Sequence, residues 1–101
     1  MKVFRKQVRR ITVGGTLYLY VVDEQAYDIV LRIYSNQFKS TFAEYIIGWK
    51  DSWDIIVYEP GLIASLIEHA VSIGWESDKR NNKIKIENAA TLIREIMKRN
   101  V

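Results

Sequence analysis

Short runs of β-branched and aromatic residues separated by turn signals fill the first half of the chain, and apolar residues at helical spacing fill the second. Arg5 to Val13 and Thr16 to Asp23 flank Gly14-Gly15, whose tolerance of positive φ suits a two-residue hairpin turn. Tyr27 to Ser35 alternates, with Ile29, Leu31 and Ile33 on one side and Asp28, Val30, Arg32 and Tyr34 on the other. Segment 41–49 carries two periods. Phe38, Phe42, Tyr45, Ile46 and Trp49 fit a helix, and Thr41 with Glu44 mimics a capping box. A hairpin loop at Lys50-Asp51-Ser52 instead sets Trp49 against Trp53, Ile47 against Ile55 and Tyr45 against Val57. This register predicts a fourth strand over 41–49 and a fifth over Trp53 to Glu59, with a helix at 38–49 above a four-stranded sheet as the alternative.

Pro60 suits the first position of a helix, where its missing N–H has no intrahelical partner. Leu62, Ile63, Leu66, Ile67, Ala70 and Val71 then form an apolar face, opposite Gly61, Ser65, Glu68, His69 and Ser72. Gly74 followed by Trp75 predicts a left-handed cap that folds the indole back onto the last turn. A basic loop from Glu76 to Lys83 leads to Lys85-Ile86-Glu87, a short edge strand. Asn88 is placed to cap a final helix whose apolar face is Ala89, Leu92, Ile93, Ile96 and Met97. Fold class is therefore α+β: an antiparallel meander of about five strands, then helices 60–73 and 88–99 packed on the sheet.

The run from Pro60 to Ala70, followed by Gly74-Trp75, resembles a pattern of small uncharacterised bacterial proteins, P-x-x-V-x-x-L-I-x-x-A-x-x-x-G-W. It covers about 16 residues, and Glu76-Ser77-Asp78 stands where such proteins often continue with Pro. The resemblance implies a bacterial cytoplasmic protein. It brings no activity, and no functional residue is carried over from it.

Length changes this picture little: 101 residues make one domain, 1–101, with one core. Hydrophobic residues at 49% and charged residues at 27% are globular values, which excludes a disordered or fibrous chain. No apolar run is long enough to span a bilayer and the start lacks a signal-peptide stretch, so the expected location is the cytoplasm, away from membranes. Zero Cys excludes disulfides and thiolate chemistry, and a single His excludes imidazole-rich metal clusters, so no cofactor or metal is expected.

Candidate chemistry is sparse. Ser65, Glu68 and His69 bring nucleophile, carboxylate and imidazole onto one helix face, a geometry that rarely supports a triad. Gly14-Gly15 lacks the spacing of a phosphate loop, and neither Asp51 with Asp54 nor Asp23, Glu24 and Asp28 forms a ligand loop. An enzyme is therefore not expected. The net charge of +3 divides into +5 over residues 1–16, −4 over 17–60 and +2 over 61–101. Arg5, Lys6, Arg9 and Arg10 on the first strand suit phosphate contacts, making nucleic acid the alternative partner, although cations on an edge strand also deter aggregation.

Apolar surface is the stronger clue. Three-residue turns at the hairpins after the first put Leu17, Leu19, Val21, Ile29, Leu31, Ile33, Tyr45, Ile47, Ile55 and Val57 on one face, beneath the helices. The opposite face, with Tyr18, Tyr20, Val22, Val30, Tyr34, Phe42, Ile46, Ile56 and Tyr58, is then too apolar for water. A helix, a curled sheet or a partner must cover it. The expected function is a protein-interaction module that binds a partner protein or itself through Tyr18, Tyr20, Arg32 and Tyr34, with a two-fold homodimer as its simplest form.

Overall fold

In the computed structural model the described residues are 8–51, 55 and 59–99. They form strands β1 (Arg9–Val13), β2 (Thr16–Glu24), β3 (Asp28–Ser35) and β4 (Phe42–Gly48), a 3₁₀ turn (Trp49–Asp51), helix α1 (Pro60–Ser72), strand β5 (Lys83–Ile86) and helix α2 (Ala90–Arg99). The sheet order is β1-β2-β3-β4-β5, antiparallel through β4 and parallel between β4 and β5. The α+β class holds, with strands ahead of the helices except for β5.

Local chemistry explains most of these elements. Val13 pairs with Thr16 across Gly14 (φ 59°) and Gly15 (φ 81°), the two positive φ values that a type I′ turn requires. Strand, not helix, wins at 42–48, because alternation there buries Ala43, Tyr45 and Ile47 against Ile33, Leu31 and Ile29 of β3. Pro60 opens α1, and the helix ends in the capping geometry read from Gly74-Trp75. The Gly74 N–H donates to the Val71 carbonyl and the Trp75 N–H to the Ala70 carbonyl, with Gly74 at φ 106°. The indole is 1% exposed, lies 5.9 Å from the Tyr18 ring, and donates from Nε1 to the Asn82 carbonyl oxygen.

The fifth strand differs from expectation. The expected neighbour of Tyr45 is Val57, but that side of β4 is taken by β5, with Ile86 beside Tyr45. Ile55 and Glu59 belong to no strand, and the rest of the expected Trp53 to Glu59 strand lies outside the described residues. The reason is connectivity: parallel neighbours need a crossover, and α1 supplies it as the helix of a β4-α1-β5 unit. The short strand read at 85–87 therefore becomes the sheet edge at 83–86. Asn88 is also not a helix cap. Its φ of 53° turns the chain so that the Ala89 N–H donates to the Ile46 carbonyl oxygen, and α2 begins at Ala90.

Both helices pack on one side of the sheet. Leu62, Ile63, Leu66, Ile67 and Ala70 of α1, with Ala90, Ile93 and Ile96 of α2, join the sheet residues Tyr18, Tyr20, Ile29, Leu31, Ile33, Ala43, Tyr45 and Ile47 in one apolar cluster. The smallest molecular dimension, 20 Å, is what one sheet layer and one helix layer fill at about 10 Å each. Buried Ser35 and Thr41 pin the 76–82 loop: Ser35 Oγ donates to the Ser77 carbonyl at 2.6 Å, and Thr41 Oγ1 to that of Lys79.

Candidate interaction surface

The helix-free side of the sheet is built by the residues that alternate with the core. The strand register sets Arg10, Leu19, Tyr34, Phe42 and Lys83 in one row across all five strands. The next row holds Val21, Arg32, Glu44 and Lys85, and a third holds Asp23, Val30 and Ile46. Among the described residues, neither helix contributes to this side. Val21 and Val30 are buried yet stand apart from the helix-side cluster, while Leu19, Tyr34, Phe42 and Ile46 are half-buried.

An ion pair sits at the centre. Arg32 Nε donates to Glu44 Oε2 at 2.5 Å, with side chains 28% and 15% exposed. The Glu44 hydrogen bond raises the Arg32 guanidinium above its ordinary value, opposed in part by burial, and Tyr34 adds a weaker push in the same direction. Next to it the Tyr34 and Phe42 rings meet at 5.6 Å, tilted 57°, and Lys83 Nζ lies 5.5 Å from the Phe42 centroid. The surface is thus an apolar field around a neutralised charge pair, with cations at both lateral rims.

The structure divides the four residues expected to share a partner surface. Tyr18 and Tyr20 are buried beneath the helices, whereas Arg32 and Tyr34 occupy the opposite side. The cause is one residue of turn length. The last pair, Glu24 with Ile29, encloses four residues where three were expected, and the inward and outward sets of β2 exchange. Leu17, Leu19 and Val21 consequently move to the helix-free side. The Gln25 N–H bonds to the Asp28 carbonyl, Trp49 Nε1 donates to the Gln25 carbonyl at 2.7 Å, and the Trp49 N–H donates to that of Tyr27.

The expected basic cluster is divided as well. Arg9 and Arg10 are both exposed, but as consecutive strand residues they project to opposite sides, opposite Tyr20 and Leu19 respectively. Arg5 and Lys6 lie outside the described residues. On α1, Ser65 Oγ donates back to the Gly61 carbonyl at 3.0 Å, and Glu68 is exposed. Tyr45 Oη donates to the Leu66 carbonyl at 2.9 Å and lies 2.9 Å from His69 Nδ1. With its single proton given to Leu66, the phenol oxygen is left as the acceptor for an Nδ1–H of His69. Among the described residues no group of three or more His, Asp or Glu could hold a metal. No helix there is long and apolar enough to cross a membrane.

Glu44 is the surface residue that sequence reasoning passed over. Its signal was available: a strand at 42–48 paired through Ile33 and Ala43 necessarily sets Glu44 opposite Arg32. Compared with protein-family models, with curated proteins and with solved structures, the chain matches none.

Proposed function

We propose that this chain is a non-enzymatic protein-interaction module whose working surface is the helix-free side of its sheet. One observation carries the reading: both helices lie on the same side, so among the described residues Leu19, Tyr34, Phe42 and Ile46 stand around the Arg32–Glu44 pair with no helical layer above them. Apolar and aromatic contact area around an Arg has the composition of binding hot spots, and a paired Arg keeps its geometry when water leaves. Hydroxyl-radical footprinting tests this without knowledge of the partner. Tyr34, Phe42 and Ile46 are expected to be labelled in the dilute purified chain and protected inside the expressing cell. Equal labelling in both settings would remove the reading.

A nucleic-acid-binding reading has one specific observation in its favour, the row in which Arg10 and Lys83 flank Leu19, Tyr34 and Phe42. Aromatic rings on an open sheet can stack on bases and cations at the rim can contact phosphates. Arg32 is already neutralised by Glu44, and Val21, Val30 and Ile46 have no stacking surface to offer. These features favour a protein surface over a nucleic acid.

A further inference from the structure

We propose that the occupant of this face is a second copy of the chain, packed about a twofold axis that runs along the strands between β3 and β4. The inference rests on the reading of this face as the working surface and adds the identity and geometry of its partner. Its basis is the register of the central ladder, in which Arg32 is opposite Glu44, Val30 opposite Ile46 and Tyr34 opposite Phe42. Rotation about such an axis lays β3 of one copy over β4 of the other. Each of these residues then meets, across the interface, the same residue type that it already meets within its own sheet.

Every one of those encounters is favourable. Arg32 of each copy faces Glu44 of the other, so the two ion pairs become a closed network of four alternating charges. Val30 faces Ile46, and Tyr34 faces Phe42, adding aliphatic and aromatic contact on either side of the charges. A single copy therefore carries both halves of an isologous contact, which is what a twofold dimer requires. The size is also suitable. The four strands that then overlap, β2 to β5, lie about 4.8 Å apart and run about 23 Å, a projected footprint of roughly 440 Å², and the relief of side chains raises this toward the roughly 600 Å² per partner at the lower end of stable complexes. Aligned packing of two twisted sheets at about 30° keeps the central ladder in contact, lays the Lys83 and Lys85 stems of one copy along Leu19 and Val21 of the other with their ammonium groups toward the rim, and leaves Arg10 of β1 outside the overlap. The positive charge at that rim favours this central pairing over edge-to-edge contact between copies.

The experiment is sedimentation equilibrium of the full chain over a concentration series, with Arg32→Glu, Glu44→Arg, their equimolar mixture and the double variant, each checked for fold by circular dichroism. The wild type is expected to reach twice its 11.8 kDa chain mass. Arg32→Glu alone sets Glu opposite Glu44, and Glu44→Arg alone sets Arg opposite Arg32, so each is expected to weaken self-association about tenfold or more. Mixing the two restores unlike charges across the interface and is expected to restore the dimer mass. The double variant restores them within and between copies and is expected to dimerise by itself. A monomeric wild type at the top of the series overturns the proposal, and this measurement needs no variant to fold. A wild-type dimer whose mass ignores all these changes overturns it too. If the wild type is monomeric but binds a labelled mixed-sequence single-stranded oligonucleotide, with binding lost in Phe42→Ala, the occupant is nucleic acid and not a second copy. Protection of the face in cells beside a monomeric purified chain also overturns the second copy, while leaving the working surface in place.

Discussion

The phenol oxygen of Tyr45 lies 2.9 Å from Nδ1 of His69 and joins the centre of the sheet to the polar side of α1. Because Tyr45 also donates to the Leu66 carbonyl, one buried hydroxyl orders a helix carbonyl and the only imidazole in the chain. Tyr45→Phe leaves both partners without that hydroxyl and is expected to cost about 1–3 kcal/mol in urea denaturation. Burial holds the Tyr45 hydroxyl well above its ordinary value. A raised folded value means that the associated stability is complete below the unfolded value, about pH 10, and is lost as pH rises beyond it. Wild type is therefore expected to lose stability above about pH 10 more steeply than Tyr45→Phe. Parallel alkaline profiles for the two proteins would contradict this role.

Gly74 holds a backbone conformation that side chains with a β-branch strongly disfavour, and a Cβ there meets no neighbour. Gly74→Val should therefore act through backbone strain alone, at roughly 1–3 kcal/mol. For a domain of this size each kcal/mol lowers Tm by about 4–8 °C. Calorimetry showing an unchanged Tm would mean that Gly74 is not the stop signal of α1.

Much of the fold is legible in local chemistry. The Gly14-Gly15 turn, the alternation of β3, Pro60 at a helix start and Gly74-Trp75 at its end each have a mechanism that operates within a few residues. What is illegible depends on distance. The parallel pairing of Phe42–Tyr45 with Lys83–Ile86 joins segments separated by a helix, and no turn residue encodes it. The partner surface fails for a different reason: one residue in the β2–β3 connection decides whether Tyr20 or Leu19 faces the helices, and both are suitable for either side. Arg32 and Tyr34 kept their place because alternation within β3 is independent of that turn. Their β2 neighbours changed from Tyr18 and Tyr20 to Leu19 and Val21, while Phe42 stayed on the expected face and Glu44 joined it.

That exchange of faces separates two substitutions of similar size. Tyr20→Glu buries a carboxylate beneath the helices, at a position 4% exposed, and is expected to cost more than about 4 kcal/mol and to unfold the domain. Ile46→Lys places a charge on the half-buried helix-free side, where the long side chain reaches water, and is expected to leave a folded chain that no longer self-associates. Circular dichroism with light scattering distinguishes the two outcomes. A folded Tyr20→Glu protein, or an Ile46→Lys protein that unfolds, would reverse the assignment of the faces.

Among the described residues, the side of the sheet without helices is the proposed binding surface of the molecule. Methyl NMR of the wild-type chain during dilution reads both sides at once. Methyl signals of Leu19, Val30 and Ile46 should shift with concentration along one binding curve, while those of Ile33, Ile47 and Ile63, beneath the helices, stay fixed. Invariant signals from Leu19, Val30 and Ile46 at every concentration, or shifts confined to other parts of the molecule, would contradict the account.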